Sequence, residues 1–154
     1  MNEKLTAGDI CSRAVTVAYP SLALDEAARL MRARHVGCLV VVEEAAVGEN
    51  LVVGILTDRD IAMSVVAADR DPHGVRVGDV MTRDVVTARE HDTLLDLLGA
   101  MRRRKVRRIP VTGARDLLVG VVSLDDVLAV MAQQMQAVAA AVTAATSHER
   151  TALP

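Results

Sequence analysis

The chain has no Phe, no Trp and a single Tyr, Tyr19. That deficit excludes aromatic platforms that stack bases and aromatic cages for methylated ammonium groups. A planar ligand would have to lie between aliphatic side chains and backbone. An excess of one charge is also missing: 18 Lys and Arg stand against 20 Asp and Glu, a formal net charge of −2. This excludes a generally basic nucleic-acid binder. The only cysteines, Cys11 and Cys38, make no C-x-x-C and no ligand-spaced set, so a structural zinc is not expected. No apolar run is as long and unbroken as a membrane span, and Met1–Thr6 opens no signal-type stretch. The expectation is a cytoplasmic chain with no membrane segment.

What is present is a duplicated unit. Apolar residues make up 51% of the 154 residues, enough for one compact domain or two very small ones. A shift of 70 positions aligns segments 8–42 and 78–112 with 11 identities, among them Gly8-Asp9 with Gly78-Asp79 and Met31-Arg32 with Met101-Arg102. Chance at ordinary composition gives about 3. The shift then falls to 66, bringing Val53-Gly54 onto Val119-Gly120 and Asp60 onto Asp126. The difference lies in Glu43–Asn50, read as a surface loop. Two such copies form a pseudo-symmetric pair rather than a solenoid.

Each copy carries the same signals. A short helical turn (Gly8–Ser12 in the first) precedes a brief strand at Val15–Val17. An amphipathic helix follows, with Leu24, Ala27, Ala28 and Met31 on one stripe and Leu94, Leu97, Leu98 and Met101 on its counterpart. Two strands come next: Cys38–Val42 and Leu51–Thr57, then Arg108–Thr112 and Leu117–Ser123. Their apolar runs lack alternation, which suits strands covered on both faces. A last helix starts near Asp58 and near Asp125. The fold class is mixed α/β, two tandem β-α-β-β-α repeats packed as a pseudo-two-fold pair. The first repeat spans 7–68, a linker 69–76, the second repeat 77–132, and an Ala-rich helix with a disordered tail 133–154.

Chemistry gathers at the end of the last strand of each copy. Val53-Gly54-Ile55-Leu56-Thr57-Asp58-Arg59-Asp60 matches Val119-Gly120-Val121-Val122-Ser123-Leu124-Asp125-Asp126. The shared pattern is apolar-Gly-apolar-apolar-[Ser/Thr]-x-x-Asp at a strand-to-helix junction. A helix N-terminus attracts phosphate, the hydroxyl adds a donor, and a carboxylate one turn later can accept from ribose hydroxyls. The same pattern also describes a plain N-cap with a first-turn acid, which needs no ligand.

Taken together, these residues resemble a tandem pair of cystathionine-β-synthase (CBS) domains, a Bateman module, over residues 7 to about 132. The markers are Gly78-Asp79-Val80-Met81-Thr82, Lys105-Val106-Arg107-Arg108-Ile109-Pro110-Val111, and Gly54-Ile55-Leu56-Thr57-Asp58-Arg59-Asp60-Ile61. The resemblance implies two sheets packed face to face, with clefts for adenosine-containing ligands such as AMP, ADP, ATP or S-adenosylmethionine. It implies Thr57 and Asp60 for one site and Ser123 and Asp126 for the other. The implied adenine walls are Thr16 and Val17 with Cys38, Leu39 and Val40, and Val86 and Thr87 with Ile109 and Pro110. Arg107 and Arg108, with Arg59 as a further candidate, are expected on phosphate. The run 102–108 holds six positive charges in seven residues, whereas the first copy has Gly37-Cys38 where the second has Arg107-Arg108. Val40 also stands where Pro110 stands in the second copy, so the two pockets are not equivalent.

The four histidines, His35, His73, His91 and His148, are scattered, and no nucleophile or metal set appears. No enzyme and no obligatory cofactor are expected. Past the second copy, Met131, Met135, Val138 and Val142 continue an apolar stripe. The functional expectation is a stand-alone adenine-nucleotide sensor that forms a homodimer and acts on an unknown protein partner. The alternative is a ligand-free dimerisation scaffold that recruits a partner through the C-terminal helix.

Overall fold

A computed structural model describes residues 4–152; Met1–Glu3 and the tail residues Leu153 and Pro154 lie outside it. The first copy contains α1 (Ala7–Ile10), β1 (Val17–Ala18), α2 (Leu24–Arg34), β2 (Cys38–Ala46), β3 (Glu49–Thr57) and α3 (Asp58–Ile61). The second contains α4 (Val77–Val80), β4 (Ala88–Arg89), α5 (Leu94–Arg104), β5 (Arg108–Thr112), β6 (Leu118–Ser123) and α6 (Leu124–Ala152). Each copy builds a three-stranded sheet, β1-β2-β3 and β4-β5-β6. The first pair in each sheet is parallel and the second antiparallel.

The central strands are buried on both faces, as their unbroken apolar runs require. Leu39 and Val41 point into one core with Leu24, Ala27, Met31 and Leu56. Ile109 and Val111 do the same in the other core, with Leu97, Met101, Val122 and Val127. Val40 and Val42, on the opposite face of β2, are buried too. Burying side chains of this size stabilises the fold by about 1.5–3 kcal/mol each.

The two copies exchange their opening helices. Ala7 of α1 is fully buried in the core of the second copy, while Val77 and Met81 at α4 complete the core of the first. Backbone bridges clasp the exchange. Ser12 N donates to Val121 O at 2.9 Å and Val121 N to Ser12 O at 3.0 Å; the counterpart, Ile55 with Thr82, has 3.0 and 2.9 Å. Gly54 and Gly120 sit under these crossings. A Cβ at Gly54 would lie 2.5 Å from Met81 Sδ, and one at Gly120 would lie 2.7 Å from Cys11 Sγ and from Ser12 O. The glycines thus admit the neighbouring repeat's backbone.

Two expectations are corrected and one gains detail. Glu43–Asn50 is not a loop: β2 and β3 extend through it as a longer hairpin, turning at Gly48, whose φ of 77° suits glycine. The linker is more than a tether. Val75 is 4% exposed and belongs to the first core, and its carbonyl accepts from Leu24 N at 2.9 Å. The tail is helical from Thr146 to Ala152, because α6 runs unbroken to Ala152. By length and composition this helix could cross a membrane. Gln133, Gln134 and Gln136 interrupt the apolar run without adding charge, so no unbroken stretch marks it in the sequence.

Candidate ligand-binding clefts

Both strand-to-helix junctions fold as reciprocal caps. Thr57 N donates to Asp60 Oδ2 at 2.9 Å, and Asp60 N donates to Thr57 Oγ1 at 3.2 Å. Ser123 N donates to Asp126 Oδ2 at 2.7 Å, and Asp126 N donates to Ser123 Oγ at 3.1 Å. The cap explains the spacing, and each carboxylate keeps a second oxygen, Oδ1, that makes no hydrogen bond among the described residues. The pairs differ in one respect. The Ser123 hydroxyl also donates to Asp126 Oδ2 at 2.7 Å, while the Thr57 hydroxyl donates to no group among the described residues.

Each cap faces a cleft whose opposite wall comes from the other copy. The larger cleft, about 750 Å³, joins Ile55, Thr57, Arg59 and Asp60 to Val85, Val86 and residues 104–108. The smaller, about 250 Å³, joins Val121, Ser123 and Asp126 to Val15, Thr16 and residues 35–38. These linings correspond under the internal repeat. Gly37, Cys38 and Arg108 line both clefts, which places them at the pseudo-two-fold centre.

The helix ends that feed the clefts are unusual and matched. His35 and Lys105 terminate α2 and α5 in the left-handed conformation, with φ of 54° and 55°. Neither is glycine, so each costs about 1 kcal/mol. The turns aim the strand starts at the cleft. Asp58 N donates to Gly37 O at 3.0 Å and Leu124 N to Arg107 O at 2.8 Å, tying each capped helix to the start of the middle strand.

The large cleft is the basic one. Arg59, Arg104, Lys105, Arg107 and Arg108 line it, against Asp58, Asp60 and Asp84. Arg104 is already engaged, pairing with Asp84 at 2.5 Å. Among the described residues, Arg107 and Arg108 make no ion pair and are exposed. Not all expected wall residues reach a cleft. Leu39 and Ile109 are wholly buried and face the helices. Pro110 is buried between strands, opposite Val121. Val17 pairs with Val40 in the sheet, and Thr87 is exposed; neither lines a cleft. Of the expected walls, Thr16, Cys38, Val40 and Val86 do line a cleft, and Val15, Val36, Val85 and Val106, which sequence reasoning passed over, join them. The repeat itself marks them: Val15 and Val85 are among its identities, as are Val36 and Val106.

Cys38 has its thiol pushed up to about 11 by burial. Burial also raises Cys11, with Arg13 opposing. Both are free thiols. Cys38 is therefore expected to alkylate slowly at pH 8, its rate still rising toward pH about 11 as the thiolate forms. A iodoacetamide rate profile that levels off below pH 9 would contradict this placement.

A duplicated β-α-β-β-α unit with two pseudo-symmetric clefts between its copies defines a paired-repeat, two-cleft fold. The family pattern described as "CBS domain" matches residues 7–67 and 77–133, and the chain belongs to this family. It is 34% identical to CBS domain-containing protein YhcV of Bacillus subtilis, over 77% of this chain and 79% of that protein. It is 30% identical to Hypoxic response protein 1 of Mycobacterium tuberculosis, over 79% of this chain and 82% of that protein. An uncharacterised Methanopyrus kandleri protein, MK0525, matches at 29% over 82% of this chain but 62% of its own length.

Among solved structures, the CBS-pair protein CBSX2 of Arabidopsis thaliana superposes with a TM-score of 0.75 at 25% identity, covering 86% of this chain and 98% of that one. Hypoxic Response Protein I, crystallised with two coordinated zinc ions, gives 0.70 at 29%, over 80% and 96%. Among the described residues of this chain, no three His, Cys, Asp or Glu side chains group as a metal site. The CBS domain pair of MJ0100, solved with 5′-methylthioadenosine and S-adenosyl-L-methionine, gives 0.73 at 24%, over 85% and 98%, a likeness of fold. CBS pairs are generally regulatory, non-catalytic modules, and these matches point to no enzymatic family.

Proposed function

We propose that this chain is a regulatory sensor of adenosine-containing nucleotides, with the large cleft as its main site. The observation that carries the reading is the assembly of that cleft. A capped helix N-terminus supplies Thr57 and Asp60, aliphatic Val85, Val86 and Val106 offer walls, and Arg107 and Arg108 stand opposite. Adenine lies between the aliphatic walls, in keeping with the absence of aromatic rings. Asp60 Oδ1 accepts from ribose hydroxyls, while the Thr57 hydroxyl and the arginines take phosphate. A cleft of about 750 Å³ suits a nucleotide. The small cleft, with Ser123 and Asp126, takes a smaller or less phosphorylated ligand. At the level of the fold alone, the MJ0100 pair holds adenosine compounds.

Binding spans both copies, so the ligand stabilises one relative placement of the repeats over another. That is the means by which such a module signals. The chain works as a cytoplasmic homodimer that reports to a protein partner. Titration calorimetry with AMP, ADP, ATP and S-adenosylmethionine tests the reading. Asp60→Asn keeps an oxygen for the cap but loses the second acceptor, and is expected to weaken nucleotide binding about tenfold or more. No heat with any of the four, or an Asp60→Asn chain that binds as wild type, overturns the site.

A further inference from the structure

α6 leaves the body after about two turns. Val127 is 1% exposed, whereas Leu128, Met131, Met135, Val138 and Val142 are between 46% and 67% exposed. The remainder of the helix projects roughly 30 Å at 1.5 Å per residue.

Its apolar residues do not follow the 3.6-residue period of a helix lying on a globular core. Leu128, Met131, Met135, Val138, Val142 and Ala145 alternate steps of three and four, the seam of a coiled coil. Glu149 stands at the next seam position and ends it. No Asp, Glu, Lys, Arg or His lies between Asp126 and His148. The helix therefore offers no basic face to an anionic lipid surface and no charge pattern to choose a foreign partner.

The seam also tapers, from Leu and Met at its start to Val and Ala at its end. Two copies laid antiparallel match large against small in every layer: Leu128 with Ala145, Met131 with Val142, Met135 with Val138. A parallel pair would instead stack Leu on Leu at one end and Ala on Ala at the other, leaving the Ala end thinly packed. The antiparallel arrangement also brings Asp125 and Asp126 at the start of one helix toward His148 and Arg150 at the end of the other, and it opposes the helix dipoles. Ala132, Ala139 and Ala141 flank the seam and let the backbones approach.

We propose that the projecting part of α6 is a self-association surface, pairing antiparallel with α6 of a second copy. This names a surface for the homodimer put forward above; it does not depend on the nucleotide clefts, so calorimetry can fail while the seam stands, and the reverse.

The test is cross-linking of the full-length chain. Leu128→Cys chains and Ala145→Cys chains are co-expressed and oxidised, with wild type as control for Cys11 and Cys38. The mixed disulfide dimer is expected in roughly tenfold excess over either self-linked species, since only facing positions come within disulfide reach. Predominant self-linking of Leu128→Cys, as a parallel pair gives, overturns the proposal. So does the absence of cross-links above wild type. Met135→Glu with Val138→Glu, both on the exposed part of the helix, is expected to abolish the mixed species while far-ultraviolet dichroism and thermal unfolding of the body are retained; cross-linking that survives it is contrary. Wild-type protein that floats with phosphatidylcholine vesicles, with no mixed disulfide between the two cysteine variants, assigns the helix to lipid and likewise overturns it.

Discussion

Replacing Gly120 with Ala is expected to cost about 3 kcal/mol and to lower the melting temperature by about 10 °C. The reason is the clasp between the copies. The added methyl would sit 2.7 Å from the backbone oxygen of Ser12 and from Cys11 Sγ. Ser12 O is the acceptor of one bridge to β6 and Ser12 N the donor of the other. Relief means moving a backbone segment, and that loosens α1, whose Ala7 is buried in the second core. Gly54→Ala is the informative partner. There the closest atoms are Sδ at 2.5 Å and Cγ at 3.0 Å of the unbranched Met81 side chain, and the backbone atom Thr82 O is at 3.2 Å. Methionine can turn aside, so the loss should be nearer about 1 kcal/mol. Calorimetric melts of the two variants check the order. Equal losses, or a Gly120→Ala melt within about 2 °C of wild type, would mean that the clasp does not hold the pair together.

The second large effect concerns ligand choice. Arg107→Ala with Arg108→Ala is expected to lower ATP affinity about 100-fold while changing adenosine affinity by less than about threefold. Two charge-assisted contacts of about 1.5 kcal/mol each amount to two decades, and adenosine has no phosphate to lose. An ATP-over-adenosine preference that rests on these two arginines should also shrink with added salt, because both are exposed. Titrations of ATP and adenosine on both chains, at low and high salt, read the difference. If ATP and adenosine weaken alike, the arginines shape the cleft and do not select phosphate.

Much of this protein is local and doubled, and so was readable in advance. Helix stripes such as Leu24-Ala27-Met31 and Leu97-Met101 announce their buried faces by period. The strand run Leu39–Val42 announces cover on both sides by lacking alternation; the run Val119–Val122 carries the same signal, yet β6 is an edge strand and leaves Val119 and Val121 half-buried. The hydroxyl-x-x-Asp junctions follow from cap chemistry over three residues, and they fold as caps. The basic residues 104–108 stand in one stretch of chain and line one cleft.

Other features depend on which surfaces meet. The Glu43–Asn50 insertion could be a loop or a longer hairpin; pairing of Glu43 with Leu51 and Glu44 with Asn50 makes it a hairpin. Val75 looks like a linker residue until Leu24 bonds to it. Leu39 and Ile109 lie on the same strands as Cys38 and Arg108, one residue on. The direction in which each sheet faces its helices sends them into the cores and their neighbours to the clefts.

By itself, then, the sequence determined the repeat, the order of its elements, the capped junctions and the imbalance of charge between the two halves. All of these rest on interactions within a few residues or on a period along the chain. Only the tertiary structure decided that α1 and α4 change places, and that Thr57 and Asp60 face Val85, Val86 and Arg108 rather than their own copy's first strand. The same packing decided which hydrophobic positions remain open to a ligand. Those contacts join residues far apart in the chain. They are selected by how two nearly identical surfaces fit across a pseudo-two-fold axis, and neither copy alone carries that information.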